Sequence, residues 1–101
     1  MVCEGAPEVR IGRKPVMNYV LAILTTLMEQ GVNQVVVRAR GRNINKAVDA
    51  VEIVRNRFAK NVKINGIEIS SHEITVTDPN TGQQRTRRVS SIDICLEKEA
   101  E

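Results

Sequence analysis

The stretch Arg38-Ala-Arg-Gly-Arg-Asn-Ile-Asn-Lys46 directly follows a run of three valines at positions 35–37. Consecutive β-branched residues are typical of a strand that is covered on both faces. Gly41 can adopt backbone angles that are closed to other residues, and Asn43 is a suitable N-cap for a following helix. The sequence therefore predicts a buried strand, a short basic turn and the start of a helix at this point.

Basic side chains are concentrated in and around this turn. Arginine, lysine and asparagine beside the free N–H groups of a helix N-terminus suit a bound phosphate. The alternative is that these charges only keep a loop soluble. The phosphate interpretation is favoured because the chain has three segments that are basic and free of acidic residues. These segments contain Arg10, Arg13 and Lys14; then Arg38, Arg40, Arg42 and Lys46; and then Arg85, Arg87 and Arg88.

Length and composition restrict the class of protein. A chain of 101 residues predicts one domain, 1–101, with a single modest core, and we expect loose termini at 1–7 and 98–101. No apolar run approaches the roughly 18 residues that span a bilayer, and no signal-peptide pattern is present. We therefore expect a protein that stays where it is made. The net charge is only +3, but segregated positive charge favours a polyanion over a membrane surface as partner.

The two cysteines, Cys3 and Cys95, have neither metal-ligand spacing nor a nearby pair of histidines. Their positions predict a free thiol near the N-terminus and a small buried side chain, rather than a disulfide.

Apolar periodicity predicts the element order β-α-β-α-β-β. The strands are expected at 8–12 and 32–40, the helices at 16–30 and 43–59, and a long hairpin follows from 62 to 96. Pro15 suits a first helical position, and Gly31 suits the position after a helix end. The predicted apolar stripe of the first helix is Val20, Leu21, Leu24, Leu27 and Met28. The second stripe is Ile44, Ala47, Val48, Val51, Val54 and Phe58, which Ala50 and Ile53 extend.

The hairpin pattern changes phase at Gly66 and again at Ser70-Ser71, which predicts a bulge at each place. Residues 78–82, Asp-Pro-Asn-Thr-Gly, have strong turn chemistry. No long apolar side chain occurs from Thr77 to Arg88. The outer half of the hairpin is therefore expected to project as an arm of about 20 Å.

Catalytic patterns are weak. His72 has no Ser–Asp or Cys arrangement that spacing can place beside it, and Asp49 with Glu52 is typical of a solvated helix face. No glycine pattern matches a nucleotide-binding loop. The only aromatic residues, Tyr19 and Phe58, lie on predicted helices, so a base-stacking sheet is not expected. Tyr19 could contact a ligand or pack against the protein. We expect no enzymatic activity, cofactor or metal, and contacts mainly to phosphates.

Three motifs occur in order along the chain. They are Ile11-Gly-Arg-Lys-Pro-Val-Met-Asn-Tyr-Val20, then Ala39-Arg-Gly-Arg42 with Lys46-Ala-Val-Asp49, and then Val51-Glu-Ile-Val-Arg-Asn-Arg-Phe58. Together they closely resemble the Alba family of archaeal chromatin proteins, over about residues 9–96. The resemblance implies an α+β fold, a two-layer sandwich of a four-stranded mixed sheet with two helices on one face. A similar fold is that of the C-terminal domain of a bacterial translation initiation factor.

The resemblance also implies a function. It implies a cytoplasmic, chromosome-associated homodimer that coats and compacts double-stranded DNA with little sequence preference and also binds RNA. A paralogous Alba protein is an alternative dimer partner. A mainly RNA-binding role in ribonucleoprotein assembly is the first alternative. A small nuclease or RNA-processing subunit is the second, although the sequence lacks the carboxylate cluster that nuclease metals require.

The resemblance finally implies site residues. In the family, the dimer contacts the nucleic-acid backbone through the turn before the first helix and the turn after the second strand, and the hairpin arms reach toward the minor groove. The family lysine whose acetylation weakens DNA binding corresponds to Arg13, and arginine cannot be acetylated in that way. Phe58 corresponds to an aromatic residue used where dimers meet along DNA. The implied nucleic-acid-binding residues are Arg13, Lys14, Asn18, Tyr19, Arg40, Arg42, Asn43, Asn45, Lys46, Arg85, Arg87 and Arg88.

Overall fold

The computed structural model describes residues 3–99; the predicted loose ends at 1–2 and 100–101 lie outside the described residues. The order of elements confirms the predicted β-α-β-α-β-β pattern. A 3-10 turn, Gly41–Asn43, precedes the second helix, and a π-helical turn, Val54–Phe58, follows it. The strands and helices are β1 (Glu8–Arg10), α1 (Val16–Met28), β2 (Gln34–Arg40), α2 (Ile44–Ile53), β3 (Val62–Thr77) and β4 (Gln84–Lys98). None of the helices described is long and apolar enough to cross a membrane.

The four strands form one mixed sheet in the order β1-β2-β4-β3. β1 is parallel to β2, whereas β2 and β3 both pair antiparallel with β4. Both helices pack on one face of the sheet and against each other. This arrangement confirms the predicted two-layer α+β fold. It also leaves β3 at one edge of the sheet.

The core lies between the helices and the inner face of the sheet, but the helices are turned differently from the prediction. Leu21 and Met28 are 58% and 81% exposed, and Val48 is 42% exposed. Ile23, which the predicted stripe left out, is fully buried, and Ala50 is buried as its place on the predicted face of the second helix implied. Each helix has apolar residues on more than one face, and contact with the sheet and with the other helix selects which of them is covered. The buried helical residues are Val20, Ile23, Leu27, Ala47, Ala50, Val51 and Val54.

Part of the outer face of the sheet lies against the segment before β1. Val36 and Cys95 lie opposite each other in β2 and β4 and are both buried. Cys3 forms a disulfide with Cys95, with 5.6 Å between their Cα atoms. The prediction of two unbonded cysteines was therefore wrong. The residues leading into β1 cross the β2–β4 pair, which brings two residues 92 positions apart into bonding distance.

The described parts of both termini are also tied down, contrary to the prediction. The backbone N–H of Val36 donates to the Pro7 carbonyl at 2.9 Å, which fixes the residues before β1. Lys98 belongs to β4, and its N–H donates to Asn33 O at 2.8 Å. Buried backbone groups need such partners, and the terminal segments supply them to the sheet.

The helix starts differ from the prediction in detail. Asn43 has helical backbone angles, φ −82° and ψ −8°, and its side chain makes no capping hydrogen bond. The 3-10 turn runs directly into α2, so no extended capping residue is needed at Asn43. Gly41, at φ +54°, makes the sharp change from strand to turn that the sequence predicted. Pro15 directly precedes α1, and Gly31 is left-handed at φ +83°, three residues beyond the helix.

The hairpin of β3 and β4 contains one of the two predicted bulges. The pairing shifts between Ile64 and Gly66, where Ile64 faces Leu96 and Gly66 faces Cys95. At Ser70 and Ser71 the register is continuous, so the second bulge was wrong. The change of phase in the apolar pattern has another cause. Ile67 and Ile69 point to one face of the hairpin, whereas Ile74 and Val76 point to the other.

The projecting arm is longer than predicted. Every residue from 67 to 77 and from 81 to 88 is exposed, and the molecule measures 58 × 27 × 21 Å. The predicted turn at the tip is confirmed: Gly82 N–H donates to Asp78 O at 2.9 Å, and Asn80 N–H donates to the Asp78 carboxylate at 2.8 Å.

Candidate nucleic-acid interface

The turn between β1 and α1 presents two basic side chains, Arg13 and Lys14, both exposed. The hydroxyl of Tyr19, one turn into α1, accepts a hydrogen bond from the Lys14 backbone N–H at 3.1 Å. A Cβ atom added at Gly12 would lie 3.0 Å from that hydroxyl, so glycine leaves the room that the ring needs. Tyr19 is half-buried and supports the turn from beneath. We name residues 12–15 the first basic turn.

The second basic turn comprises residues 40–43. Arg40 ends β2, and Arg42 follows Gly41 in the 3-10 turn; both side chains are exposed. Asn43 is half-buried, and Asn45 is exposed in the first turn of α2. The 3-10 turn leaves its first N–H groups without helical partners. Exposed guanidinium groups beside such N–H groups are suited to bind phosphate oxygens.

Lys46 joins the two turns. Its ammonium group donates to Gly12 O at 2.8 Å and to Lys14 O at 2.7 Å, and it lies 5.8 Å from the centre of the Tyr19 ring. Lys46 lies in the first turn of α2, and α2 directly follows the second basic turn. These bonds therefore hold the first basic turn against α2. The structure therefore brings Arg13, Lys14, Tyr19 and Lys46 together, and the predicted site residue Asn18 is exposed on the same helix as Tyr19.

Two arginines of the basic segments lie elsewhere. Arg38 bonds to Glu8 at 2.5 Å and lies 3.4 Å from Asp93. Arg10 also pairs with Glu8. These ion pairs lie on the sheet and partly neutralise Arg10 and Arg38. The other exposed cations of the first two basic segments lie on the two basic turns.

The three arginines of the arm do not form one patch. Paired strand residues share a face and successive residues alternate, so Arg85 and Arg87 lie with Val76 and Ile74 on one face. Arg88 is on the other face, where it donates to Ser71 Oγ at 3.0 Å and lies 3.4 Å from the Glu73 carboxylate. The arm therefore offers two exposed arginines on one face and a partly neutralised one on the other.

Phe58 ends the π-helical turn at the opposite end of the second helical segment from the second basic turn. Its side chain is 54% exposed, so the ring is not a core residue. A surface aromatic here is available to another molecule.

The sequence did not reveal an apolar patch at the base of the arm. Ile67 and Ile69 of the edge strand β3 are 53% and 76% exposed. Ile69 lies beside a shallow groove that Ile44 and Ile92 also line. The alternation of Ile67 and Ile69 after Gly66 was the available signal, but alternation does not show which of two faces a helix covers.

Within residues 3–99, no group of three or more His, Cys, Asp or Glu side chains is placed to hold a metal ion. His72 is exposed on β3 opposite Val89.

Comparison with known proteins shows to which family the chain is related. The family model described as Alba matches residues 7–71. A protein of Nanoarchaeum equitans named DNA/RNA-binding protein Alba is 55% identical over 93 residues, which are 91% of this chain and 98% of that protein. The solved structure of Alba from Thermoplasma volcanium is 36% identical with a TM-score of 0.74, covering 90% of this chain and 99% of that one. An Alba protein of Trypanosoma brucei is 26% identical with a TM-score of 0.67, covering 94% and 71%.

The family model covers both basic turns, and the two structural matches cover 90% and 94% of this chain. The chain belongs to the Alba family.

Proposed function

We propose that this protein binds double-stranded DNA through its phosphate backbone, with little sequence preference, and that it also binds RNA. The main observation behind the proposal is that Lys46 links the two basic turns. Lys46 lies on α2, directly after the second basic turn, and its ammonium group bonds to two carbonyl groups of the first basic turn. The name of the Nanoarchaeum equitans relative, DNA/RNA-binding protein Alba, supports both kinds of nucleic acid.

The chemistry of the turns favours the backbone over the bases. Arg13, Lys14, Arg40 and Arg42 offer exposed cations on short turns rather than on a helix or ribbon shaped for a groove. Tyr19 and Phe58 are on helical segments, so none of the strands carries a phenylalanine, tyrosine or tryptophan ring for stacking. Contacts from such groups to phosphates position a protein on a duplex without reading its sequence.

The active form in this proposal is a homodimer. Ile67 and Ile69 form an exposed apolar surface on an edge strand. Exposed apolar edges favour association, and soluble proteins usually cover them. A second copy of the chain would cover this patch, with a paralogous Alba protein as the alternative occupant.

Coating of DNA follows from repeated dimers. Phe58 is exposed and separate from the basic turns, which suits a contact between neighbouring dimers. The arm carries Arg85 and Arg87 on one face, which suits a reach along the groove beside the body. The proposed place of action is the chromosome in the cytoplasm, where the protein would coat and compact DNA.

The test of the proposed function measures binding of the purified protein to several unrelated duplexes and to a structured RNA over a series of salt concentrations. We expect dissociation constants that are similar among the duplexes and that rise steeply with salt. Strong preference for one duplex, or no binding to any, would contradict the proposal. Competition between duplex and RNA at fixed salt decides the alternative of a mainly RNA-binding protein.

The dimer is tested separately by light scattering. Ile69→Glu places a charge on the apolar patch and should give a monomer. Leu21→Glu is the matched control, because Leu21 is also an exposed apolar residue, at 58%, but lies on α1. A wild-type monomer, or an Ile69→Glu dimer, would reject this surface.

A further inference from the structure

We propose that Lys46 is a positioning residue, not a phosphate contact: it holds the first basic turn in the shape that presents Arg13 and Lys14 to the nucleic acid. The inference rests on the proposed function, and it changes the role that the sequence predicted for Lys46. It is carried by the bonds that the ammonium group makes within the protein.

The first observation is how the donors of Lys46 are used. A lysine ammonium group has three N–H donors and no acceptor. Two of them are directed to Gly12 O and Lys14 O, at 2.8 and 2.7 Å. The group also lies 5.8 Å from the centre of the Tyr19 ring, within the range of a cation–π interaction. A phosphate would have to compete with charge-assisted bonds that are already made.

The second observation is where those bonds are placed. The two carbonyl groups belong to the residues on either side of Arg13. Gly12 O belongs to the peptide unit before Arg13, and Lys14 O belongs to the peptide unit after Lys14, so the two bonds fix both ends of the Arg13–Lys14 segment and restrict the directions of its side chains. The Lys14 N–H is fixed in addition by the Tyr19 hydroxyl at 3.1 Å. Arg13 and Lys14 themselves remain exposed.

The third observation is the fit beneath the turn. Gly12 has a Cβ position only 3.0 Å from the Tyr19 hydroxyl, so the turn and the ring are in close contact. Lys46, Tyr19 and Gly12 together form a support that we call the lysine clamp. Because ordering a mobile side chain on binding costs free energy, a turn that is ordered beforehand binds more tightly.

The clamp predicts a distinctive effect on binding. Lys46→Met keeps most of the side-chain length and removes the charge. It should weaken duplex binding about threefold to tenfold, the cost of ordering the turn anew. The slope of log K against log salt should stay the same, because Arg13 and Lys14 still reach their phosphates in the complex. Loss of a direct phosphate contact would instead lower the slope by about 0.9 per protomer.

A second variant removes no charge. Tyr19→Phe deletes only the hydroxyl that accepts from Lys14 N–H, so it should also weaken binding, with an unchanged slope of log K against log salt.

A double-mutant cycle completes the binding test. Arg13→Gln should cost less in the Lys46→Met background than in the wild type. Arg85→Gln on the arm is the control and should cost the same in both backgrounds. A lowered slope for Lys46→Met, or additive effects with Arg13→Gln, would overturn the proposal.

The free protein offers a readout that does not depend on binding. The Lys14 amide is protected by Tyr19, and hydrogen exchange reports local opening. We expect exchange at Lys14 to rise about tenfold or more in Lys46→Met, while the Gly82 amide, bonded to Asp78 O in the remote arm tip, keeps its rate. Unchanged exchange at Lys14 would reject the clamp. Absence of wild-type binding with faster exchange in the variant would reject the proposed function and leave the clamp established.

Discussion

The side chain of Cys3 is bonded to that of Cys95, 92 residues later in the chain, and the bond fastens the N-terminal segment over the outer face of the sheet. Cys95 and its neighbour across the strands, Val36, are both buried on this face. The disulfide therefore closes nearly the whole chain into one loop and covers apolar surface that the helices do not reach.

Cys3→Ser should lower the free energy of unfolding. Closing a loop of this length removes unfolded-state entropy worth about 4.6 kcal/mol, but disulfides typically contribute about 2–4 kcal/mol, so we expect a loss of about 2–4 kcal/mol in denaturant unfolding without reductant. Dithiothreitol should lower the stability of the wild type by a similar amount and should leave the variant unchanged. A thiol titration of the native, non-reduced protein that finds two free cysteines would exclude the bond.

Arg42→Ala should weaken duplex binding about tenfold, the effect of losing a charge-assisted contact, and it should do so equally for unrelated duplexes. Arg42 is exposed in the 3-10 turn, so the melting temperature of the variant should differ little from that of the wild type. Arg57→Ala is the matched control, because Arg57 is exposed in the π-helical turn and carries the same charge away from the turns. Equal losses from both substitutions would show that only the overall charge matters.

Arg13 and Lys14 should each contribute a phosphate contact. We expect Arg13→Gln and Lys14→Gln to lower the slope of log K against log salt by roughly 1–2 per dimer, since a symmetric dimer repeats each site. Arg13→Lys keeps the charge and should keep the slope. The measurement is fluorescence anisotropy at several salt concentrations. An unchanged slope for both glutamine variants would remove the first basic turn from the interface.

The arm should be dispensable for folding. Glu73 pairs with Arg88, so replacement of residues 74–87 by Asn-Gly keeps the register and deletes no buried side chain. We expect a folded dimer, by circular dichroism and light scattering, with weaker duplex binding. The control is a full-length arm with Arg85→Gln and Arg87→Gln, which separates the loss of charge from the loss of the arm. An unfolded or monomeric product would show that the arm helps to build the body.

Phe58→Ala should affect assembly and not stability. A buried phenylalanine would cost about 3–5 kcal/mol on truncation to alanine, but this ring is 54% exposed, so the loss should be far smaller. On long duplexes we expect binding that is less cooperative in gel-shift titrations. Met28→Ala, at another exposed apolar position (81%), should leave cooperativity intact. A large fall in melting temperature for Phe58→Ala would assign the ring to packing instead.

Local patterns in the sequence were sufficient for the order of elements. The alternation of β3, the valines of β2 and the turn residues at 78–82 act through neighbouring residues and their backbone preferences. Gly41 adopts a positive φ angle, as a strand-to-turn junction requires, and Gly31 adopts one in the turn after α1. The basic turns were visible for the same reason, because each is a continuous stretch of chain.

Only the tertiary structure decided which side chains meet. Lys46 and Gly12 are 34 residues apart, and Cys3 and Cys95 are 92 apart, so no periodicity connects them. The same limit explains why Leu21 and Val48 were wrongly assigned to the core and why Arg88 was grouped with Arg85. Periodicity shows that a helix has an apolar face and that a strand has two faces. The packing of one element on another determines which face is covered, which arginine meets a carboxylate, and which lysine is held inside the protein.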